Sequence, residues 1–562
     1  MSGAFKTKWV YKSSKQDSGL DLATQVLKNR GYKKSEIEHF LNPEFSSSLG
    51  DPYLLPDMDK AVKRVLKAIS QDQKIVIYGD YDIDGITASA LLHDFLTRAG
   101  ANHVEVYIPD RFEEGYGLNS EAIKNIKDSG ADLVISVDCG VTAVEQAKLA
   151  EDIQLDLIIT DHHEPPEQLP EGMVALVNPK LESSKYPFSE LAGVGVAFSL
   201  VRALLIADLS LLTPGQEKWL LDLVALGTIC DVVPLIGENR VLASFGLKVM
   251  SQTRRVGLRA LAEVSATEIS EVGESDLGFR FGPRLNAAGR LEHARDALKL
   301  LMTSDDNEAP SLAAKLNDLN LERQAMTQEI YNAADIMAKK KSKDFILVMA
   351  DKEWSHGIVG IVASRIAEKW RKPTILLQVI GDEVKGSARS YGGFSIIEAL
   401  RSSSERLIQY GGHDFAAGMK LKAEDVDLFS YQLNDYAMKN IDIDSLMQPI
   451  EIDALLGEDD LILDRLDDIQ KLRPFGNKNS QPIFYTPLHL LEHKLVGQHL
   501  SHSKFKFKTR AGKFIDGIAF SSAHKWPGLE TGQTYNIAYY IQKNVWQNVA
   551  KLQLEVIDVK KV

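Results

Sequence analysis

Three carboxylates lie within five residues of one another, at Asp80, Asp82 and Asp84. The apolar run 75–78 precedes them, and Gly85 and a helix-like stretch follow. Like charges this close raise one another's pKa and repel, so the cluster would destabilise the fold unless a cation compensated it. The pattern therefore predicts a divalent metal site.

Further acids and histidines follow apolar, strand-like runs in the same way. They are Asp138 after 133–137, Asp161, His162 and His163 after 157–160, and Asp231 after 223–230. In open parallel sheets, ligands bind at the carboxyl ends of the strands, and we expect each of these residues at such an end. The sequence therefore predicts that they converge on one cleft.

Carboxylates and histidine, without a cysteine pair at metal-ligand spacing, suit Mn²⁺ or Mg²⁺ better than a structural zinc ion. Because the candidate ligands come from four segments, we expect two cations, with Asp138 as the natural bridging ligand. Two cations about 3.5–4 Å apart activate a water for in-line attack on phosphorus. The predicted reaction is phosphoester or phosphoanhydride hydrolysis.

Phosphate also needs cations that hold it, and the planar guanidinium of arginine suits its oxygens. The candidates are Arg111, Arg284, Arg290 and Arg389. Taken alone, each is better explained as a solvated surface residue or half of a structural ion pair. Glycine-rich sequence around the last three predicts turns in which backbone N–H groups approach an anion closely, and this favours the phosphate role.

The elements that must position these residues follow from the hydrophobic pattern. Strand runs alternate with amphipathic helices from about 54 to 301, which is typical of a parallel sheet covered by helices. Strands are predicted at 74–79, 103–108, 132–138, 156–160 and 174–177, and two helices precede them at 20–29 and 34–41. A long run at 308–341 predicts a connecting helix. A second alternating unit follows, with strands near 345–350, 374–379 and 384–390 and helices near 357–370 and 394–402.

The last stretch, about 446–562, changes to short strand-like runs that fit a small Greek-key barrel. The runs are 481–484, 504–508, 514–520, 534–541 and 552–559. In 504–508, a two-residue period places Lys504, Lys506 and Lys508 on one face and two phenylalanines on the other. A basic strand face tracks a nucleic-acid backbone, although lysines also protect an ordinary edge strand.

Composition narrows the class of protein. A chain of 562 residues with 44 % hydrophobic and 25 % charged residues is expected to form three or four globular domains. No long apolar run or leader is evident, and the two cysteines exclude a disulfide framework, so we expect a soluble cytoplasmic protein without membrane contact. The net charge of −13 argues against general nucleic-acid binding, but 471–513 carries nine Lys or Arg and one acid.

Several of these segments resemble the motifs of the DHH phosphoesterase superfamily, in the expected order. The four main motifs are 79–85, 137–140, 161–163 and 231–234, and supporting runs are 193–198, 282–290, 354–365 and 411–418. The match is close to the branch of single-strand-specific 5′-to-3′ exonucleases called RecJ, over about 50–520. Because the chain ends soon after the predicted barrel, we expect it to lack the extra C-terminal domain of some longer members.

The resemblance implies an α/β fold in five parts. These are an N-terminal helical lead (1–50), a DHH catalytic domain with a parallel sheet (51–307), a connecting helix (308–343), a smaller α/β DHH-associated domain (344–445) and an oligonucleotide-binding (OB-like) β-barrel (446–562).

The resemblance also assigns roles to residues. The metal ligands would be Asp80, Asp82, Asp84, Asp138, His162 and Asp231. His163 would contact the scissile phosphate, and Asp161 would orient the histidines. Arg111, Arg284, Asn286 and Arg290 would bind phosphate, and Ser387, Arg389 and His413 would recognise the 5′-terminal phosphate on the far wall of the cleft.

Three functions compete at this stage. The first is an exonuclease that releases 5′-mononucleotides from single-stranded DNA in repair and recombination, with single-strand-binding protein and a helicase as partners expected from the family. The second is a small-substrate DHH hydrolase acting on oligonucleotides, cyclic dinucleotides or pyrophosphate, which would not need the basic barrel. The third is a non-catalytic replication scaffold, which the complete set of ligands disfavours.

Overall fold

The computed structural model describes residues 7–13, 20–111, 114–441, 449–497, 499–523, 525–526, 528–547 and 549–562. Parts of the predicted N-terminal lead, and the predicted boundary between 445 and 446, lie outside the described residues. The chain forms two compact units. One comprises Glu44–Ile441 with Gly476–Asn479, and the other comprises Met1–Pro43, Asp442–Phe475 and Ser480–Val562.

The strands are numbered in chain order. They are β1 (Trp9–Tyr11), β2 (Ile75–Gly79), β3 (Val104–Tyr107), β4 (Leu133–Val137), β5 (Asp156–Thr160), β6 (Ala175–Val177), β7 (Leu347–Asp351), β8 (Thr374–Ile380), β9 (Glu383–Arg389), β10 (Leu407–Gly412), β11 (Ala416–Lys422), β12 (Ile450–Ile452), β13 (Ala454–Leu455), β14 (Phe484–Val496), β15 (His502–Lys508), β16 (Phe514–Ala519), β17 (Thr534–Trp546) and β18 (Val549–Lys561).

The α-helices are numbered in the same way. They are α1 (Leu22–Asn29), α2 (Lys34–Leu41), α3 (Met58–Ser70), α4 (Ile83–Arg98), α5 (Ser120–Asp128), α6 (Val144–Asp152), α7 (Gly193–Ala207), α8 (Leu221–Cys230), α9 (Gly237–Met250), α10 (Val256–Val264), α11 (Glu274–Asp276), α12 (Gly282–Leu291), α13 (Arg295–Met302), α14 (Glu308–Lys340), α15 (His356–Trp370), α16 (Ile396–Arg401), α17 (Val426–Asn440) and α18 (Arg465–Gln470). A π-helical turn, Leu277–Phe281, joins α11 to α12.

The larger unit contains a parallel sheet with strand order β3-β2-β4-β5-β6. Every residue of β2 and of β4 is buried, which explains their uninterrupted apolar sequences. Alternate residues of β2 face two cores: Ile75 and Ile77 pack with α4 and α7, and Val76 and Tyr78 pack with α5 and α6. The predicted parallel sheet with helices on both faces is confirmed.

The same unit continues through α14 into a second sheet, of order β10-β11-β9-β8-β7. Only β7 and β8 pair in parallel, and the other neighbours are antiparallel. Apolar residues of α14 and α15, among them Ile330 and Ile358, share one core with Leu347 of β7. The long helix therefore packs directly against the second sheet.

The smaller unit is a barrel of five long strands, β14 to β18, which closes where β14 pairs with β17. The lysines of β15 are exposed, whereas Phe505 and Phe507 are buried, so the predicted alternation is confirmed. Helices α1 and α2 share the barrel's core through Val26 and Phe40. Strand β1 adds to this unit by pairing in parallel with β12.

Four sequence-based expectations are wrong in detail. The run before Asp231 is a helix, α8, because a fully buried apolar segment has no periodicity that separates helix from strand. The expected glycine-rich turn around Arg284 and Arg290 forms α12. The turn expected at Arg389 is instead the end of β9, which confirms the strand predicted at 384–390. The first barrel strand runs over Phe484–Val496 instead of 481–484.

Among the described residues, no helix combines the length and the apolar character needed to cross a membrane.

Candidate active site

The predicted metal ligands gather at the carboxyl edge of the parallel sheet. Asp80, Asp138 and His162 follow β2, β4 and β5, which are neighbours in the sheet. The Nε2 atom of His162 lies 3.1 Å from Oδ1 of Asp138, and 3.7 Å from carboxylate oxygens of Asp84 and of Asp231. We call the six residues Asp80, Asp82, Asp84, Asp138, His162 and Asp231 the acidic edge.

Helix ends bring the remaining ligands to this edge. Asp82 caps α4 by accepting hydrogen bonds from the backbone N–H groups of Asp84 and Gly85. Asp231 is the C-cap residue of α8. Both elements therefore direct a carboxylate toward the ends of β2 and β4, although only the first was expected from a strand–helix pattern.

Side-chain atoms of the acidic edge and of His163 form three overlapping groups in which all ligand atoms lie within 4.8 Å of one another. The groups are Asp80, Asp82 and Asp138; Asp84, His162 and Asp231; and Asp138, His162 and His163. Asp138 and His162 each belong to two groups. This sharing is what a bridging ligand between two cations requires.

Three buried atoms of the acidic edge lack a hydrogen-bond partner among the described residues: Oδ1 of Asp80, Oδ1 of Asp138 and Nε2 of His162. A buried polar atom without a partner destabilises a fold by about 1–3 kcal/mol. A divalent cation would satisfy all three. Oxygen donors with one imidazole fit Mn²⁺ or Mg²⁺.

The pKa values of the acidic edge also favour bound cations. Burial, followed by repulsion from neighbouring carboxylates, raises the pKa of Asp80, Asp84 and Asp138 well above the usual range and that of Asp231 to about 7. Burial and the nearby His163 lower the pKa of His162 to about 3, so its imidazole is neutral and its Nε2 lone pair is free to bind a metal.

Asp161 behaves differently from the acidic edge. It accepts hydrogen bonds from the backbone N–H groups of Val141, His162 and His163, at 2.8, 2.7 and 3.1 Å, and lies 2.8 Å from Nδ1 of His163. Although burial opposes it, these bonds hold the pKa of Asp161 below its ordinary value. Despite its own burial, His163 has its pKa raised to about 9 by Asp161. Asp161 thus fixes the backbone of both histidines and favours the protonated form of His163.

Backbone geometry lets these side chains approach one another. Asp138 adopts a left-handed φ of 60°, and a Cβ atom at Gly193 would lie 2.6 Å from its Oδ1. Glycine at this position therefore lets α7 begin beside the acidic edge. The first N–H groups of α7, from Gly193 and Val194, donate to the two oxygens of Asp84 at 2.6 and 2.9 Å.

A cavity of about 200 Å³ joins the acidic edge to two of the predicted phosphate-binding arginines. Its lining includes Asp82, Asp84, Asp231, Arg111, Asn286 and Arg290. Burial and three nearby arginines lower the pKa of Arg290 to about 10. Among the described residues, no carboxylate lies within 4.0 Å of the Arg111 or Arg290 guanidinium. The cavity thus has acids on one side and unpaired cations on the other.

Arg389 approaches the same cations from the second sheet. Burial and the charge of Arg111 lower its pKa, and its Nη1 donates to Oγ of Ser387 and to the carbonyl of Ala388, both at 2.8 Å. Gly360 of α15 leaves room for it, since a Cβ there would lie 3.0 Å from its Nη2. We call Arg111, Arg290 and Arg389 the arginine group.

Two predicted phosphate-binding residues lie apart from this group. Arg284 donates to Oδ1 of Asn317 at 3.1 Å and to the carbonyl of Arg280 at 2.8 Å, and it does not line the cavity. His413 is exposed in the turn between β10 and β11, where Ala416 pairs with Arg389. The structure therefore places His413 on the adjoining strand pair and Arg284 against α14.

Sequence reasoning missed three residues at this site. The Tyr116 hydroxyl lies 3.2 Å from Nδ1 of His163, but its loop position carries no sequence signal. Arg323 on α14 adds charge near Arg290. His356 has its pKa lowered to about 4 by burial, Lys385 and Arg111. Only His356 stood in a motif already noted, the run 354–365.

Comparisons with known proteins agree with this geometry. Family models match as the DHH family N-terminal domain at 74–228, the DHHA1 domain at 327–439 and the RecJ OB domain at 452–558. The single-stranded-DNA-specific exonuclease RecJ of Bacillus subtilis is 38 % identical over 99 % of this chain and 71 % of its own length. The same enzyme of Dickeya dadantii is 34 % identical over 96 % of both. The crystal structure of Thermus thermophilus RecJ with Mn²⁺ has a TM-score of 0.84 and 29 % identity, covering 99 % of this chain and 80 % of that one.

Proposed function

Because this chain belongs to the RecJ family of single-stranded-DNA-specific exonucleases, we propose that it removes nucleotides from the 5′ end of single-stranded DNA by metal-dependent phosphodiester hydrolysis. The observation that carries the proposal is the cavity in which the acidic edge faces Arg111 and Arg290. Phosphodiester hydrolysis needs both features, since cations must activate the attacking water and hold the phosphate.

In this proposal two Mn²⁺ or Mg²⁺ ions are held by the acidic edge. Asp80, Asp82 and Asp138 form one ligand group, Asp84, His162 and Asp231 form the other, and Asp138 lies within reach of both through His162. When bound, the ions supply a nucleophile at neutral pH and neutralise charge that develops on the phosphate. The crystal structures of Thermus thermophilus RecJ with Mn²⁺ and with Mg²⁺ support this choice of metals.

The chain's own residues complete the site. His163, charged through its contact with Asp161, presents its other ring nitrogen to a phosphate oxygen. Arg111 and Arg290 hold the same phosphate from across the cavity, and Asn286 donates from the cavity wall. Asp161 keeps the two histidines oriented through its hydrogen bonds. These residues provide fixed charge where negative charge develops in the transition state.

The remaining roles follow the predicted domains. The catalytic domain (51–307) would carry the acidic edge, and the connecting helix (308–343) would join it to the DHH-associated domain (344–445). In that domain, Ser387, Arg389 and His413 would recognise the 5′-terminal phosphate. Arg284 of the catalytic domain would contact a phosphate of the DNA backbone outside the cavity. The barrel (446–562) would hold the strand on Lys504, Lys506 and Lys508, and the lead (1–50) would brace it.

The cellular setting is a further part of the proposal. Work on single-stranded DNA in repair and recombination fits partners such as single-strand-binding protein and a helicase, which we infer from the family alone. Two free cysteines fit a cytoplasmic location.

The proposal is tested by following degradation of 5′- and 3′-labelled oligonucleotides, single- and double-stranded, with Mn²⁺, Mg²⁺ or a chelator. We expect metal-dependent release of mononucleotides from the 5′ end of the single strand, and none with the Asp138→Ala variant. Turnover of dinucleotides or pyrophosphate without attack on long strands would instead assign the chain to the small-substrate hydrolases.

A further inference from the structure

A second cavity of the larger unit, of about 370 Å³, shares no lining residue with the active-site cavity. Its lining includes Phe45, Lys218, Trp219, Leu221, Phe245 and Lys248. These residues come from the segment before α3, from the 3₁₀ helix Gln216–Leu220 and the first residue of α8, and from α9. We call this surface the lysine-flanked groove.

Aromatic rings form the floor of the groove. Phe45 and Phe245 pack edge to face, with ring centroids 5.4 Å apart, and both remain partly exposed. Trp219 lies beside them and also lines an adjoining cavity. The floor is therefore apolar and open to another molecule's side chains.

One cation lies over each of these three rings. Lys218 Nζ lies 5.7 Å from the Phe45 centroid, Lys248 Nζ lies 4.7 Å from that of Phe245, and the Arg254 guanidinium lies 3.8 Å from that of Trp219. Such contacts hold an exposed cation in place with about 0.5–1 kcal/mol each.

None of the three cations is neutralised within the part of the chain that the structure describes. The two acids that line the adjoining cavity, Asp94 and Asp222, are both bound by Arg255, at 2.6 and 3.2 Å. The three cations beside this apolar groove therefore have no carboxylate partner among the described residues. These three cations are therefore free to pair with acidic groups of another molecule.

We propose that the lysine-flanked groove binds an acidic peptide segment of another protein, with an apolar side chain of that segment inserted between Phe45, Phe245 and Trp219. Acidic side chains on either side would pair with Lys218, Lys248 and Arg254. Single-stranded nucleic acid fits less well, because bases bind by stacking on ring faces and the cations already cover these faces.

The test measures fluorescence anisotropy of a labelled peptide of about ten residues, in which Asp and Glu flank a central Phe-Leu pair. The double variant Lys218→Glu/Lys248→Glu removes the complementary charge from two exposed positions. The matched control, Lys67→Glu/Lys124→Glu, makes the same change at exposed helical lysines outside the groove. Thermal melts establish that each variant is folded.

We expect the groove variant to weaken peptide binding by about tenfold or more and the control variant to leave it unchanged. Replacing the Phe-Leu pair by Ser-Ser, or raising the salt concentration, should also weaken binding. The proposal is overturned if the peptide does not bind the wild-type protein below about 1 mM, or binds both variants equally. Loss of oligothymidylate binding in the groove variant, with peptide binding retained, would assign the groove to nucleic acid.

This inference does not depend on the proposed function, because its readout is binding. None of the substituted lysines belongs to the proposed catalytic machinery, so exonuclease activity of the groove variant should equal that of the wild type. A chain without exonuclease activity that still bound the peptide through the groove would leave the inference intact.

Discussion

The acidic edge and the arginine group both concentrate like charges in a buried place beside one cavity, yet they tolerate burial differently. In the acidic edge, Oδ1 of Asp80, Oδ1 of Asp138 and Nε2 of His162 have no hydrogen-bond partner among the described residues. In the arginine group, Arg290 donates to the carbonyl of Gly357 at 3.0 Å, and Arg389 donates to a hydroxyl and a carbonyl.

The difference separates a site for a resident cofactor from a site for a passing substrate. The acidic edge needs its cations in order to be stable, because no residue that the structure describes satisfies those atoms. In the arginine group, Arg290 and Arg389 already donate to backbone and hydroxyl oxygens and keep other donors for phosphate. Metal should therefore affect both stability and chemistry, whereas phosphate should affect mainly recognition.

The largest expected effect comes from Asp138→Ala. It removes the residue shared by two ligand groups, so we expect the single-turnover rate of hydrolysis to fall by about 10³-fold or more. Strand affinity should change little, since the barrel is untouched. The metal-free variant should be no less stable than the metal-free wild type, because one of several repelling acids is gone. A rate within tenfold of the wild type would contradict the role of Asp138.

Metal removal should change how stability depends on pH. Asp80, Asp84 and Asp138, with pKa values raised by burial and repulsion, and Asp231, at about 7, hold protons in the folded state that the unfolded chain releases near pH 4. The contribution of these four acids to the stability of the chelated protein is therefore greatest at low pH within this window and falls as pH rises from about 5 to 8. His162, with its pKa lowered to about 3, contributes with the opposite sign below about pH 6.5.

Cations should reverse this trend, since they bind the deprotonated carboxylates more tightly as pH rises. Mn²⁺ at about a hundred times its dissociation constant would add about 2.7 kcal/mol. Melting temperatures measured from pH 5 to 8 with Mn²⁺ and with chelator test this. Phosphate serves as the control ligand and should shift the melting temperature little. If the melting temperature changed with pH in the same way with and without Mn²⁺, the contrast between the two regions would be wrong.

The sequence predicted the parallel sheet and most of the acidic edge because Asp80, Asp138 and His162 follow strands whose ends share an edge. For Asp231, the sequence predicted a metal ligand but placed it after a strand. It follows the helix α8, which is apolar on every side, so its sequence has the same pattern as a buried strand. The lysine alternation in β15 was predictable for a different reason: a two-residue period is visible in the sequence without tertiary information.

What could not be predicted depends on contacts between distant segments. Tyr116 approaches His163 across 47 positions of sequence, and Arg389 approaches Arg111 from a different sheet. The position of Arg284, against Asn317 of α14, separates it from Arg290 although both lie on α12. Composition and periodicity describe single elements, so they carry no information about such pairs.

The arginine group should control end recognition. Arg389→Ala removes a buried cation beside Arg111, so we expect the preference for a 5′-phosphate over a 5′-hydroxyl end to fall by about tenfold to a hundredfold, as for hydrogen bonds to charged groups. Competition between the two kinds of end in one reaction measures this directly. Arg284→Ala is the matched control, because that guanidinium is held by Oδ1 of Asn317 and the carbonyl of Arg280 and lies outside the arginine group. An unchanged end preference in Arg389→Ala would remove it from the group.

The smallest expected effect falls between the two regions, at Tyr116. Its hydroxyl lies 3.2 Å from Nδ1 of His163 and so helps to fix the ring that, in the proposed function, contacts the phosphate. Tyr116→Phe loses one hydrogen bond, about 0.5–1.5 kcal/mol, so kcat should fall by about threefold to tenfold. The Mn²⁺ concentration for half-maximal activity should not change, because Tyr116 belongs to none of the ligand groups. The opposite result would be a higher Mn²⁺ requirement with a normal kcat at saturating Mn²⁺. Tyr116 would then support the acidic edge, and His163 would have to be counted among the metal ligands.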